Sequence, residues 1–343
     1  MRIAVDVMSG DHGCAVVIEG VKQALEAEKS IAALYLVGNQ TEINSACKAA
    51  QLHDKRIQIV PASEVLTMDE DPLKVRRKKD SSLMRAIELV SDAKADAVIS
   101  PGNTGALVAG SMKLGRLEGV KRPAIAARMP SRTQDFVLLD AGANDVCEPL
   151  HLAQFAVMGN VYAKALLGIA KPRVGVLSNG SEETKGNDLT RGAAKLCRQL
   201  DLNFIGYVEG FDLFNDAVDV VVTDGFTGNV VLKTAESLGY AIGSILKAEL
   251  KASPMRKLGA MLAKGGLMKM KKRMDPEVYG GAVVLGLNGT VIKTHGSSRQ
   301  RAIANAIRVA TEEIGHGVNQ LVAQQIAKAN EKLTAFETTA IKA

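Results

Sequence analysis

The chain contains no tryptophan, and aromatic residues make up 3% of its 343 positions. Binders of single-stranded nucleic acid stack bases on aromatics interleaved with cations. This scarcity therefore argues against nucleic acid, despite a net charge of +6. The four cysteines, Cys14, Cys47, Cys147 and Cys197, are scattered, with no C-x-x-C pair and no histidine at metal spacing. They read as reduced thiols and point to the cytosol. No run approaches the roughly 18 to 20 apolar residues of a spanning helix. The start, "MRIAVDVMSG", lacks the apolar stretch of a signal peptide. Also missing are the phosphate loop G-x-x-x-x-G-K-[ST], the nucleophile elbow G-x-S-x-G, and a G-x-G-x-x-G followed by an acid at dinucleotide spacing. There is no solenoid period, low-complexity tract or Pro/Ser-rich linker, so a second lobe has to be woven into the first.

What the chain does have is regular alternation. Strand-like runs fall at 2–7, 33–37, 57–60, 96–100, 136–140, 173–177, 204–208, 219–223 and 282–292, the last with a break at 286–289. Helical spacing of apolar residues occurs at 15–28, 82–93, 104–115, 149–167, 188–200, 228–250 and 298–332. This order predicts an α/β chain with a mostly parallel sheet covered on both faces, read as one catalytic unit over 1–335 with interwoven lobes. Two stretches concentrate the positive charge. One is "KVRRKK" at 74–79; the other, Lys247 to Arg273, holds nine Lys or Arg against the single acid Glu249. Residues 237–274, rich in Met, Leu and Lys, are read as a helical hairpin insert.

"DAVISPGNTG" at 96–105 and "DVVVTDGFTG" at 219–228 share a layout: an Asp, an apolar run, and G-x-T-G at the same offset. Each ends where a strand gives way to a helix, the place where open α/β sheets bind ligands. Gly102 and Gly225 allow a sharp turn, Thr104 and Thr227 are placed to cap the helix and offer a hydroxyl, and Gly105 and Gly228 close the two motifs. Free N–H groups and the positive dipole end of a helix favour phosphate without a metal. A tight turn plus a cap is the plainer reading of either loop alone. Four more polar strand ends, "DVMSGDH" (6–12), "LLDAGAND" (138–145), "VLSNGSEETKGND" (176–188) and "VIKTHGSS" (291–298), make six loops expected to converge on one rim. Asp11, His12, Asn103, Asp140, Asn144, Asn187, Asp224, His295 and Ser297 are the further candidates there for phosphate or substrate binding. A bound phosphate is indicated; a nucleotide, a metal and an organic cofactor are not.

The blocks "IAVDVMSGDH", "SPGNTGALVAG", "LLDAGAN", "GSEETKGN", "VVVTDGFTGNVVLKT", "YGGAVVLGL" and "VIKTHGSS" span residues 3 to 298 in order. Together they resemble the bacterial phosphate acyltransferases that use acyl carrier protein. The resemblance implies transfer of a long-chain fatty acyl group from acyl carrier protein to inorganic phosphate, giving an acyl phosphate for a later glycerol-phosphate acyltransferase. It also implies a three-layer α/β/α sandwich similar to phosphotransacetylase and the isopropylmalate dehydrogenases. The family's members are homodimers, peripheral to the inner face of the membrane.

That reaction joins an anionic nucleophile to an activated thioester, so it needs positioning and oxyanion stabilisation more than a nucleophilic relay. Lys185 and Asn229 are the catalytic candidates. Lys185 would neutralise phosphate or the oxyanion, against a plain solvated lysine; Asn229 would donate an amide hydrogen bond, against a helix-packing role. His12 and His295 would assist proton transfer to the leaving thiol or brace their loops. Asp140, Asn144, Asp11 and Asp224 read as organisers of anion-binding N–H groups. "KVRRKK" would dock the acidic acyl carrier protein or be a solvated helix. Leu258, Met261, Leu262 and Met268 alternate with Lys264, Lys269, Lys271, Lys272 and Arg273 as a contact for an anionic membrane surface, or as a dimerisation element, or both. A short-chain acyl-CoA:phosphate transferase and a non-catalytic scaffold for lipid-synthesis enzymes are the alternative readings.

Overall fold

A computed structural model describes residues 1–342. Its first run comprises strands β1 (Arg2–Asp6), β2 (Ala33–Gly38), β3 (Ile57–Pro61) and β4 (Ala97–Ser100), with helices α1 (Gly13–Ala27), α2 (Gln40–Ala49), α3 (Ser82–Ser91) and α4 (Thr104–Ser111). The hairpin β5 (Ala124–Pro130) and β6 (Asp135–Leu139) leads into α5 (Pro149–Leu167), β7 (Arg173–Leu177), α6 (Asp188–Cys197), β8 (Asn203–Val208) and β9 (Val220–Val222). Helices α7 (Gly225–Lys251), α8 (Pro254–Leu262) and α9 (Lys264–Met274) come next. The chain then returns to the sheet as β10 (Ala282–Leu285) and β11 (Thr290–Lys293), followed by α10 (Gln300–Gly315) and α11 (Val318–Lys342).

The strands form one sheet in the order β3-β2-β1-β4-β11-β10-β5-β6-β9-β7-β8. Alternation along β1 shows how it is covered. Ile3 and Val5 enter a core shared with α1, α5 and α10, while Ala4 enters the opposite core, with α3 and α4. Layers on both faces explain why these strands read as continuous apolar runs, and they make the three-layer α/β/α sandwich. Helices α1 and α10 meet backbone to side chain at Gly20. A Cβ there would lie 2.5 Å from the Gln300 carbonyl and 2.6 Å from Ile303 Cβ, so the contact requires glycine.

One element that the sequence reading passed over reorganises the rest. β5 is antiparallel to both β10 and β6, and β10 is antiparallel to β11. The group β3-β2-β1-β4-β11 therefore runs one way and the group β6-β9-β7-β8 the other. Loops at the C-terminal ends of the two groups leave in opposite directions, but the groups are staggered along β5: Leu138 faces Ala127, the neighbour of the Ala126 that faces Val283, itself opposite Ile292, so the C-terminal ends of both groups meet in the middle of the sheet. The strand was hard to see because "AIAARMP" has alanine at three of its seven positions, follows Pro123 and ends on Pro130, and carries Arg128, whose guanidinium bonds Asp135 at 2.7 Å. The polar helix α2, which buries only Ile43, was also missed. The helix expected over 298–332 is broken at Gly315 to Gly317, where Gly317 has φ +62°.

Each parallel group starts from an equivalent pin. Asp96 at the start of β4 accepts from the Arg2 backbone N–H at 2.7 Å and its guanidinium at 2.6 Å; Asp219 before β9 does the same for Arg173, at 2.7 and 2.8 Å. The aspartates that open the two repeated motifs thus tie neighbouring strands at the edge away from the loops.

Beyond its first turns α7 leaves the body. α8 and α9 bury no residue, and Leu238, Ile242, Ile245, Met255, Leu258, Met261, Leu262 and Met268 are all exposed. No helix among the described residues is long and apolar enough to cross a membrane.

Candidate active site

In the first group the loops after β1, β4 and β11 touch. The Asp11 N–H donates to the Gly296 carbonyl at 2.9 Å, and a Cβ on Gly10 would stand 3.0 Å from Pro101 and 3.2 Å from Gly296 O. Ser100 Oγ donates to the buried Asp6 carboxylate at 2.7 Å and accepts from the Gly102 N–H at 3.0 Å. Asn103 is the N-cap of α4: its side-chain oxygen accepts from Ala106 N–H, while its Nδ2 donates to the carbonyls of Met68 and Glu70. Two sequence expectations change here. Capping falls to Asn103 rather than Thr104, which is the first helical residue. The Asn103 amide, already committed to Met68 and Glu70, anchors the segment that carries "KVRRKK" and is not free for an anion. In that segment Lys74 and Lys78 bond Glu70, Val75 is buried, and Arg76, Arg77 and Lys79 are exposed.

In the second group the loop after β6 is wound around Asp140. This buried carboxylate accepts from the N–H groups of Ile125, Gly142, Ala143 and Asn144 and from the Asn144 amide. Burial pushes its carboxyl above the ordinary range, against those five donors. Asp140 and Asn144 are thus loop organisers, with Asn144 also donating to Pro123 O at 2.7 Å. Helix α7 is pressed onto this loop: a Cβ on Gly228 would lie 1.9 Å from Asp140 O, and one on Gly225 would lie 2.7 Å from the Asn144 backbone. Its N-cap is Asp224, which accepts from the Thr227 N–H at 2.8 Å and its hydroxyl at 2.9 Å. The cap expected of Thr227 therefore belongs to Asp224, and the Thr227 hydroxyl is engaged by it. Asn229 lies against Gly142, exposed on the next turn.

Lys185 and Asn187 belong to the loop after β7. Lys185 is 46% exposed and lies 4.0 Å from Glu182; Asn187 caps α6 by accepting from the Thr190 N–H at 2.9 Å. Among the described residues no hydrogen bond links Lys185 to the Asp140 or Asp224 loops. In the loop after β1, Asp11 and His12 are exposed, and His12 precedes α1 without a side-chain cap bond.

α7 lies along both sets of loops. Asn229, Lys233 and Glu236 follow at i, i+4 and i+7 on one helical stripe. Four residues advance the helix by about 6 Å. Asn229 touches the Asp140 loop, while Lys233 Nζ reaches His295 Nε2 at 3.1 Å and Glu236 at 2.9 Å. His295 Nδ1 faces Ser297 Oγ at 2.8 Å. Behind them Lys293, 9% exposed, bonds the Thr294 carbonyl. Burial, then the charge of Lys233, pushes Lys293 down to about 8, and the same two causes push His295 down. Sequence reasoning missed Lys233, Glu236 and Lys293. Lys293 was detectable as a lysine closing an apolar strand, where a buried charge has to be functional or paired. No cluster of three or more His, Cys, Asp or Glu side chains able to hold a metal occurs among the described residues.

The family profile described as fatty acid synthesis protein matches residues 1–321. A phosphate acyltransferase of Geotalea daltonii is 45% identical over 328 residues, covering 95% of this chain and 94% of its own. One from Halothermothrix orenii is 45% identical over 335 residues, covering 96% and 100%. Among solved structures, a phosphotransacetylase from Streptococcus pyogenes aligns with a TM-score of 0.60 at 18% identity, covering 92% of this chain and 94% of its own. That likeness bears on the fold alone.

Proposed function

The chain belongs to the fatty acid synthesis protein family, and its relatives are phosphate acyltransferases; on that premise we propose that it transfers a long-chain fatty acyl group from acyl carrier protein to inorganic phosphate. The observation that carries the reading is identity of 45% sustained over nearly the whole length of both chains. The stripe of α7 running between two polar loop clusters supports it, since groups of both clusters could then face a thioester and an anion side by side. A phosphate oxygen attacks the thioester carbonyl carbon, the carbon–sulfur bond breaks with its electron pair going to sulfur, and the proton of hydrogen phosphate ends on the thiol. The atoms balance without a further reactant. Asn229 would donate to the developing oxyanion, and Lys185, on its exposed loop, would close over the anionic groups.

The acyl carrier protein is acidic, and Arg76, Arg77 and Lys79 offer it an exposed cationic face beside α4. The projecting α8–α9 arm would lie on an anionic bilayer with Leu258, Met261, Leu262 and Met268 inserted, and a homodimer would present two such arms. Arg273 is not part of that contact, because its guanidinium bonds the carbonyls of Ser131 and Gln134. The acyl phosphate would then pass to an acyltransferase that uses it.

The test is incubation of the purified chain with long-chain acyl carrier protein and labelled phosphate, without ATP, trapping acyl phosphate as its hydroxamate. Acyl phosphate formation is expected. Release of free fatty acid, an ATP requirement, or a preference for short acyl-CoA donors would overturn the reading. For the arm, Leu258→Glu with Met261→Glu should release the protein from anionic vesicles in sedimentation; unchanged sedimentation would leave the arm a dimer element.

A further inference from the structure

We infer that Lys233, His295 and Lys293 form the seat of the phosphate nucleophile, with Glu236 as the resting counter-ion that phosphate displaces from Lys233. The inference rests on the acyl-transfer reading and adds the residues that hold its second substrate. Three nitrogen bases from two distant segments meet here, two of them exposed and one buried. Lys233 Nζ is 3.1 Å from His295 Nε2. On the other side of the ring, Nδ1 accepts from the Ser297 backbone N–H at 3.3 Å and lies 2.8 Å from Ser297 Oγ.

Lys293 is the anomaly that calls for a ligand. It is 9% exposed, its Nζ bonds only the Thr294 carbonyl, and among the described residues no carboxylate makes an ion pair with it. Ammonium groups in such places need anionic company. On the loops that frame it, the Ser9 and Thr294 hydroxyls are buried without hydrogen-bond partners. The charged groups facing His295 are Lys233, Glu236, Lys293 and Asp11; those facing Lys293 are Lys233, Asp11 and Asp6. Burial and mutual cationic repulsion depress both His295 and Lys293, and a dianion placed between them and Lys233 removes the repulsion. Both pKa values then rise, so phosphate binding takes up protons, and affinity falls as pH climbs past about 8, where free Lys293 loses its charge.

Glu236 gives the site an unusual sign. It holds Lys233 at 2.9 Å and stands where it repels an incoming anion. Lys233→Gln should raise the KM for phosphate about tenfold, the loss of one charge-assisted contact, with kcat changing less. Glu236→Gln should lower that KM, and Lys233→Arg should restore most of the wild-type value. Lys233 is exposed, and the half-buried Glu236 keeps its shape as glutamine, so neither change should unfold the protein. The experiment pairs initial rates against inorganic phosphate with calorimetric titration of inorganic phosphate alone, in two buffers of different ionisation enthalpy. Opposite KM shifts together with proton uptake support the seat. If wild type and both variants share one KM for phosphate, or binding releases protons, the seat is overturned while the acyl-transfer reading stands. If phosphate binds and responds to these variants as described but no acyl phosphate forms, the seat stands and the acyl-transfer reading fails.

Discussion

The two G-x-T-G units are near copies in sequence and diverge in the structure at a definable point. Up to the strand they match: each opening aspartate pins an arginine of the neighbouring strand, Asp96 to Arg2 and Asp219 to Arg173. Past the strand the helices start two residues apart in the shared frame, α4 at Thr104 and α7 at Gly225. The difference follows from which position offers a capping oxygen. In "SPGNTG" the residue before the first glycine is proline and the residue after it is Asn103, so Asn103 caps. In "TDGFTG" those places hold Asp224 and Phe226, so Asp224 caps. Glycines at equal offsets therefore do different work. Gly228 lets α7 ride on the Asp140 carbonyl, whereas Gly105 faces the ring of Pro72.

The largest expected contrast lies at those glycines. Gly228→Ala drives a methyl to within 1.9 Å of a backbone oxygen, and should cost more than about 4 kcal/mol or prevent folding. Gly105→Ala meets a proline ring at 2.8 Å, which has to move aside, and should cost about 1 to 3 kcal/mol. Urea denaturation of both variants decides, and equal losses would break the contrast. Next come the pins. Asp219, 4% exposed at its side chain, also holds Gln134, whereas Asp96 is 30% exposed. Asp219→Ala should cost about 3 kcal/mol and Asp96→Ala less, read as midpoints in the same titrations.

Turnover probes the second unit in another way. Lys185→Ala and Asn229→Ala should each lower turnover at least about tenfold, the scale of losing one oxyanion contact, with melting temperatures kept. Near-wild-type turnover in both would remove the β7 loop and the first turn of α7 from the chemistry. The smallest effect is at the caps. Asp224→Ala and Asn103→Ala should each cost about 1 kcal/mol, but only Asn103→Ala should also free the 67–80 segment, seen as faster amide exchange there.

Much of this was legible in the chain because it depends on short-range pattern. Both parallel groups, most helices, the repeated motif and the Asp140 loop follow from alternating periodicities and from polar residues at strand ends. Asp140, Asn144 and Asp224 proved to be loop organisers, as their placement beside glycines implies. The capping threonines were misassigned because a motif fixes spacing, whereas the cap goes to whichever neighbour has a free oxygen.

What the sequence by itself determined is the α/β class, the family, and the kind of residue at each strand end, since these are set by local periodicity and by the side chains themselves. Only the tertiary structure decided that the two strand groups run in opposite senses with their C-terminal ends meeting, because the sense of a strand depends on partners far along the chain, and the alanine-rich β5 gives no local sign of reversing it. It also decided that α7 would span the gap and set Lys233 of one segment against His295 and Lys293 of another, sixty residues apart. Charge and hydrogen bonding act through space, so a cluster of this kind exists only once the sheet has folded.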